Sequence, residues 1–209
     1  MKRIAILLAS LALFGLAASP ALSADFVEGQ HYTRIDPAQP TSTPDKVEVV
    51  EVFWYGCPHC YRLEPYVKRW LKTKPDNVEF VRMPGIFSPR WMIHARAYYT
   101  AEVLGVVDKL HDPIFEAIHG ARQPLNTQDE IMALFKEHGV SEEDFKRVFL
   151  SFAVDSKMRR ASEMTMRYDI DGVPALIVNG KYRTSASQAG SNAAVFQVVD
   201  YLVALESKK

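Results

Sequence analysis

The sequence predicts an α/β fold in which a small sheet is interrupted along the chain by a long helical insertion. Two apolar, β-branched runs at 46–55 and 77–83 have the composition of buried strands. The apolar spacing then becomes helical from about 88 to 168. Strand signals return at 175–184, so the helical block lies between strands of one sheet.

The elements before the insertion are short and well separated. A strand is expected around 31–35, followed by an extended, proline-rich connector at 36–45. The run at 46–55 is almost continuously apolar, as expected for a strand that is buried on both faces. A helix is expected at 61–71, before the strand at 77–83.

Helix-capping signals divide the insertion. Asp112-Pro113 has the form of an N-cap followed by the first helical residue. Thr127 begins a capping box that Glu130 completes, and Ser141 is expected to cap the next helix. Histidines of this block are interpreted as surface or cap residues: His94, His111, His119 and His138.

The C-terminal part predicts a hairpin and a helix. Asn179-Gly180 is typical of a two-residue turn, here joining strands at 175–178 and 181–184. A final helix is indicated by apolar residues at helical spacing: Val195, Val198, Val199, Leu202 and Leu205.

The N-terminus is typical of a secretory signal peptide. Lys2 and Arg3 precede an apolar core at 4–18, and small residues allow cleavage after Ser23 or Ala24. An uncleaved membrane anchor is the alternative, but the apolar run is short for a membrane span. The mature protein is therefore expected to be soluble and exported.

These boundaries give a signal peptide at 1–24, a sheet-containing domain at 25–84 and 166–209, and an inserted helical domain at 85–165. A hydrophobic content of 48% is ample for a core. Lys and Arg together number 25, as do Asp and Glu, so nothing in the charge suggests a nucleic-acid partner.

Cys57-Pro58-His59-Cys60 contains the only two cysteines of the chain. The motif lies between a predicted strand and a predicted helix, where the helix N-terminus favours a thiolate. Cys60 lies one turn further on, within disulfide reach of Cys57. We expect Cys57 to be exposed and nucleophilic, and Cys60 to be the more buried, resolving cysteine. His59 is expected to stabilise the Cys57 thiolate, and Pro58 to shape the turn.

Other uses of two cysteines fit less well. A disulfide that closes so small a loop removes little entropy from the unfolded chain. A structural zinc needs about four ligands, and no other histidine has ligand spacing with the pair. Haem attachment requires a histidine where Tyr61 stands. We therefore predict thiol–disulfide exchange without a metal or soluble cofactor.

Three segments together resemble the DsbA family of periplasmic thiol:disulfide oxidoreductases. Residues 53–61 read FWYGCPHCY, 172–175 read GVPA and 178–182 read VNGKY. The resemblance covers essentially the whole mature chain. It implies an α/β thioredoxin fold with an inserted all-helical domain, which agrees with the order of elements predicted above.

The resemblance also implies roles for distant residues. The Val173-Pro174 bond is expected to be cis and to face the cysteines, with the backbone of Val173 pairing with bound peptide. A plain strand-starting proline is the alternative. Expected partners are unfolded exported proteins with free cysteines and the membrane reoxidant DsbB, with the protein acting as a periplasmic monomer.

Glu51 is the least expected residue in its apolar strand, where it should be desolvated, with a raised pKa or a partner. It matches the family's buried acid beneath the active site, and Arg82 stands where the family commonly has lysine. Our hypothesis is that Glu51 assists proton movement at Cys60 and that Arg82 tunes it. A purely structural buried ion pair is the alternative.

The function predicted is donation of the Cys57–Cys60 disulfide to newly exported proteins. A reductase or isomerase on the same fold is the nearest alternative. The isomerases of this system resemble dimers with an added domain, and residues 24–45 are too few for one. A redox-inert peptide-binding module is a different class, but a binder has no need of both cysteines.

Overall fold

The computed structural model describes residues 26–207. The predicted signal peptide, 1–24, lies outside the described residues. A five-stranded sheet has the order β1-β5-β4-β2-β3. Its strands are β1 (Thr33–Arg34), β2 (Val47–Phe53), β3 (Val78–Pro84), β4 (Ala175–Val178) and β5 (Tyr182–Thr184).

Strand β2 lies inside the sheet, between β4 and the edge strand β3, and every one of its residues is buried. It pairs in parallel with β3 and antiparallel with β4. The parallel pair requires a crossover, which the helix α1 (Pro58–Leu71) provides. The predicted strand buried on both faces is therefore confirmed.

The hairpin between β4 and β5 turns at Asn179 and Gly180, whose φ angles are 51° and 64°. Positive φ at both central residues defines the turn type that Asn-Gly sequences favour. A Cβ atom on Gly180 would lie 2.0 Å from the backbone oxygen of Gln39, so only glycine fits. The predicted turn is confirmed.

Five helices lie between β3 and β4 in the chain, and two follow β5. They are α2 (Pro89–Val103), α3 (Val107–His119), α4 (Gln128–Glu137), α5 (Glu142–Phe149), α6 (Phe152–Arg167), α7 (Ala186–Ala189) and α8 (Ala194–Glu206). Among residues 26–207, no helix is both long and apolar enough to cross a membrane.

The caps of α4 and α5 are as predicted. Thr127 accepts a hydrogen bond from the backbone N–H of Glu130, whose side chain accepts one from the Thr127 backbone in return. Ser141 accepts from the backbone N–H of Asp144 at the start of α5. Both caps satisfy backbone donors that a helix leaves unpaired.

Two helix starts were predicted too late. Helix α1 begins at Pro58, so Cys60 is already helical. Helix α3 begins at Val107, and the predicted N-cap pair Asp112-Pro113 lies inside it. Pro113 removes one intrahelical donor, but burial of apolar side chains such as Ile114 on both sides of it holds the helix together.

The sheet is covered on both faces. On one face α1 and α8 pack through residues such as Val67 and Val199. On the other face the core of the helical block is continuous with Val50, Val52 and Ile177. The N-terminus of α1 therefore lies at the end of β2, between the sheet and the helical block.

Candidate active site

The turn between β2 and α1 places Cys57 at the N-cap of α1 and Pro58 at its first residue. Cys57 has extended backbone angles, as is usual for an N-cap residue. Trp54 folds back over the turn so closely that a Cβ atom on Gly56 would lie 2.3 Å from its ring. The Trp54 ring therefore packs against the turn that leads into α1, and a side chain at residue 56 would clash with it.

The two cysteines are free thiols with opposite acid–base behaviour. A hydrogen bond from the Cys60 thiol lowers the pKa of Cys57 to about 6, and the backbone N–H groups of Cys60 and His59 contribute further. Burial raises the pKa of Cys60 well above its ordinary value, and the neighbouring Cys57 adds to the effect. Cys57 is thus the thiolate and Cys60 the thiol near neutral pH.

Cys57 is less exposed than the sequence suggested. Its exposed fraction is 7%, against 0% for Cys60. The reason is a segment 116 residues away, because Sγ of Cys57 lies 3.4 Å from the backbone oxygen of Val173, to which it donates a hydrogen bond while Cys57 is protonated. The Val173-Pro174 peptide bond is cis, as the resemblance implies.

His59 is exposed, and its Nδ1 atom accepts a hydrogen bond from Nη2 of Arg62 at 3.0 Å. An arginine only donates, so this ring nitrogen carries no proton in the arrangement seen. The charge of the imidazole is the last of the influences that lower the pKa of Cys57, behind two backbone N–H groups. Residue 59 acts on the sulfur more through its main chain than through its ring.

Glu51 lies in β2 directly beside Arg82 in β3. It is fully buried, with an exposed fraction of 0%, and its Oε2 lies 3.3 Å from Nε of Arg82. Neither carboxyl oxygen has a well-aligned hydrogen bond among the described residues. Burial raises the pKa of Glu51 to about 8, the charge of Glu64 adds to this, and Arg82 opposes it. The charge of Glu51 in turn raises the pKa of Cys60.

The sequence interpretation missed two buried residues of this region, Glu64 and His111. Nη2 of Arg82 donates to Glu64 at 3.1 Å, and the other Glu64 oxygen lies 3.0 Å from Nε2 of His111. His111 has an exposed fraction of 5%, so the expectation of a surface or cap residue was wrong. The misplaced start of α3 hid it, because the helix that contains Pro113 also places His111 on its buried face.

The other histidines divide between core and surface. His94 is 2% exposed, stacks on Trp54 and donates from Nε2 to the backbone oxygen of Pro124. The expectation that His94 is a surface or cap residue was therefore also wrong. His119 is half-buried and donates to the Tyr55 backbone oxygen at 2.8 Å. His138 is exposed at the C-cap of α4, as predicted.

The aromatic residues of the motif have a mainly structural setting. Trp54 stacks on Trp91 with the ring centroids 4.4 Å apart, and Tyr55 is buried against Phe53 and Phe115. Tyr61 is only partly buried and donates to Glu116. Within residues 26–207, no group of three or more potential metal ligands lies close enough to hold an ion.

Comparisons with known proteins agree with this geometry. Residues 88–202 match the family model described as a DSBA-like thioredoxin domain. The thiol:disulfide interchange protein DsbA of Pseudomonas aeruginosa is 39% identical over 200 residues, which cover 96% of this chain and 93% of that protein. The protein of the same name from Azotobacter vinelandii is 40% identical over 94% of this chain and 92% of its own length.

Solved structures give the same result. The crystal structure of Pseudomonas aeruginosa DsbA superposes with a TM-score of 0.84 at 38% identity, covering 88% of this chain and 97% of that one. The oxidoreductase DsbA from Xylella fastidiosa gives 0.82 at 30% identity, covering 88% and 98%. The predicted α/β thioredoxin fold with a helical insertion is confirmed.

A cysteine pair at the start of a helix, with one thiol acidic and the Val173 segment against it, defines a thioredoxin-fold thiol:disulfide oxidoreductase. Its redox group is the pair Cys57 and Cys60. The chain belongs to the DsbA family.

Proposed function

We propose that the protein is a dithiol oxidase that donates the Cys57–Cys60 disulfide to newly exported proteins. The observation that carries the proposal is the contrast between the two thiols. A low pKa makes Cys57 a good leaving group, and a good leaving group makes its disulfide an oxidant.

The reaction runs in two exchanges. A substrate thiolate attacks Sγ of Cys57, the S–S bond breaks, and Cys60 leaves as a thiolate that takes up one proton. A second substrate thiolate then attacks the substrate sulfur of the mixed disulfide, and Cys57 leaves as a thiolate. Two electrons pass from the substrate thiols to the cysteine pair.

Val173 and Pro174 are proposed to bind the substrate chain. The backbone oxygen of Val173 already accepts a hydrogen bond from Cys57, so a peptide joined to that sulfur would lie along this segment. Main-chain pairing at this segment would require an extended substrate chain but would not discriminate between side chains. This suits a broad set of unfolded substrates.

Glu51 is proposed to supply the proton that Cys60 takes up. A buried carboxyl group with a pKa of about 8 is largely protonated at pH 7, and Glu51 is near enough to Cys60 for its ionised form to raise the pKa of that thiol. Arg82 would tune this acid because it lies beside it and remains charged throughout. The alternative, a structural ion pair, predicts stability changes without rate changes.

The remaining proposals follow family membership. We place the mature protein in the periplasm as a monomer, with DsbB as its reoxidant and with no nucleic-acid partner or soluble cofactor. The domains would be 25–84 with 166–209 and the insertion 85–165, after removal of 1–24.

The equilibrium of the cysteine pair with defined glutathione buffers tests this function. A potential well above the roughly −270 mV of a thioredoxin-type reductant supports disulfide donation. A potential near that value would instead support the reductase alternative on the same fold.

A further inference from the structure

The buried polar contacts do not stop at Arg82. They continue through Glu64 to His111, and Nδ1 of His111 lies 2.9 Å from the hydroxyl of Tyr55. The network starts in β2, crosses β3, α1 and α3, and returns to the segment that carries Cys57. It connects Glu51 to Tyr55, which lies two residues before Cys57 in the active-site turn.

Two of these contacts have a fixed direction. Arg82 only donates, so Glu64 accepts from it, and the other Glu64 oxygen accepts from Nε2–H of His111. Burial lowers the pKa of His111 and so favours the neutral imidazole, in which Nδ1 accepts from the Tyr55 hydroxyl.

Arg82 carries one positive charge, which is balanced when one of the two buried carboxyl groups, Glu51 or Glu64, is ionised and the other keeps its proton. Burial opposes ionisation of Glu64, yet the hydrogen bond from His111, together with nearby positive charge, lowers its pKa overall. With Glu64 ionised, the pair is neutral and Glu51 retains its proton. If both carboxyl groups were ionised, an uncompensated charge would be buried at a high cost in free energy.

We propose that His111, oriented by the Tyr55 hydroxyl, is a positioning residue for disulfide exchange: it holds the negative charge on Glu64 and thereby keeps the proton on Glu51 beneath Cys60. The inference rests on the proposed role of Glu51. It adds a residue from the helical insertion to the control of a reaction in the sheet domain.

The groups around the two ends of the network come from several elements. The titratable and charged neighbours of Glu51 are Arg82, Glu64, Cys60 and Tyr98. Those of His111 are Glu64, Tyr55, Arg82, Tyr98 and Asp112. Glu64, Arg82 and Tyr98 are common to both ends, and the charged pair of Glu64 and Arg82 transmits a change at His111 to Glu51.

The test is a titration of the Glu51 carboxyl group by NMR of protein with ¹³C-labelled glutamate, assigned with Glu51→Gln. In His111→Leu, Glu64 loses its donor and becomes the better proton acceptor of the pair. The proton then moves from Glu51 to Glu64, and the pKa of Glu51 falls by about one unit. In His111→Gln, which keeps an N–H donor, the pKa of Glu51 should fall by less than in His111→Leu.

The matched control is His138→Leu, the same substitution at an exposed cap, which should leave the titration of Glu51 unchanged. An unchanged Glu51 titration in folded His111→Leu overturns the inference. If that variant does not fold, Tyr55→Phe decides: it removes only the hydroxyl, and it should lower the pKa of Glu51 in the same direction. No shift there overturns the inference as well.

The failure of the inference and the failure of the proposed function are distinguishable. If Glu51→Gln exchanges disulfides at the normal rate, Glu51 is not the proton donor, whatever His111 does. If Glu51→Gln is slow but the His111 variants leave the Glu51 titration unchanged, only the positioning role is wrong.

Discussion

Cys57 and Cys60 lie one turn apart at the start of the same helix, and their sulfurs meet opposite surroundings. In front, Cys57 faces backbone N–H groups, the Cys60 thiol and the Val173 segment. Behind, Cys60 is fully buried, close to a carboxyl group that holds its own proton. The surroundings of Cys57, here called the front of the motif, stabilise a thiolate. Those of Cys60, here called the back, stabilise a thiol. The same short motif therefore contains a leaving group and a resolving group.

The largest effect is expected from separating the two cysteines. Cys57→Ser should reduce disulfide exchange to background, because it removes the sulfur that substrates attack. Cys60→Ser, given a peptide as its mixed disulfide with glutathione, should attack through Cys57, release glutathione and retain the peptide, because no Cys60 thiolate is left to displace it. Mass spectrometry of the trapped species distinguishes the two. If the protein were a redox-inert peptide-binding module, Cys57→Ser would leave its function, peptide binding, intact.

The thiolate in front should make the stability of the reduced protein depend on pH. The folded pKa of Cys57, about 6, lies below its ordinary value of 9.0, so the stabilisation is complete above pH 9 and is lost as pH falls to 6. Over that range the free energy of unfolding of the reduced form should fall by up to about 1.4 kcal/mol per pH unit relative to the oxidised form.

Denaturant unfolding of both redox forms between pH 5 and 9 measures this difference. Glu51 is present in both forms, so most of its own titration cancels in the comparison. A gap between the forms that stays constant with pH would show that the front of the motif does not hold a thiolate.

The acid at the back should affect rate more than stability. Glu51→Gln resembles the protonated carboxyl group, so the free energy of unfolding at pH 7 should change by less than about 1 kcal/mol. Exchange should slow by about a hundredfold, because a carboxamide gives no proton to Cys60. Stopped-flow rates with a thiol peptide measure the effect.

A matched control is Glu48→Gln, a second buried glutamate of β2, whose carboxylate accepts hydrogen bonds from Ser42 and lies away from the cysteines. Its exchange rate should equal that of the unsubstituted protein. Loss of stability with a normal rate in Glu51→Gln would favour the structural ion pair.

The smallest effect is expected from His59→Ala. The backbone N–H groups of residues 59 and 60 remain in place, so the pKa of Cys57 should rise by less than about one unit, and the disulfide should become slightly less oxidising. A pH titration of thiolate absorbance measures the pKa of Cys57 in this variant, with His138→Ala as the control substitution of an exposed histidine. A titration identical to that of the unsubstituted protein would remove the imidazole from the mechanism.

Local sequence signals predicted the front of the site better than the back. The Cys57 motif, the Thr127 capping box and the Asn179-Gly180 turn depend on residues adjacent in the chain, and the structure bears them out. The position of Val173 opposite the cysteines was expected only from the family resemblance, because it depends on a contact between residues 116 positions apart, and the burial of Cys57 by that segment was not predicted.

The back of the site depends on pairings that local patterns do not record. Glu51 stood out in its strand, but Glu64 is an ordinary charged residue of a helix until Arg82 and His111 are brought to it. Asp112-Pro113 is a good local signal for a helix start, and tertiary packing overrode it. That misplaced start concealed the buried face on which His111 lies.

The most direct test of the contrast between the two sulfurs is a pH titration of thiolate absorbance in the reduced mature protein. We predict one thiolate, assigned by Cys60→Ser, with a midpoint at about pH 6, and no second thiolate below pH 9. A single midpoint near pH 9 for both cysteines would contradict the account, because neither the front nor the back of the motif would then set the state of its sulfur.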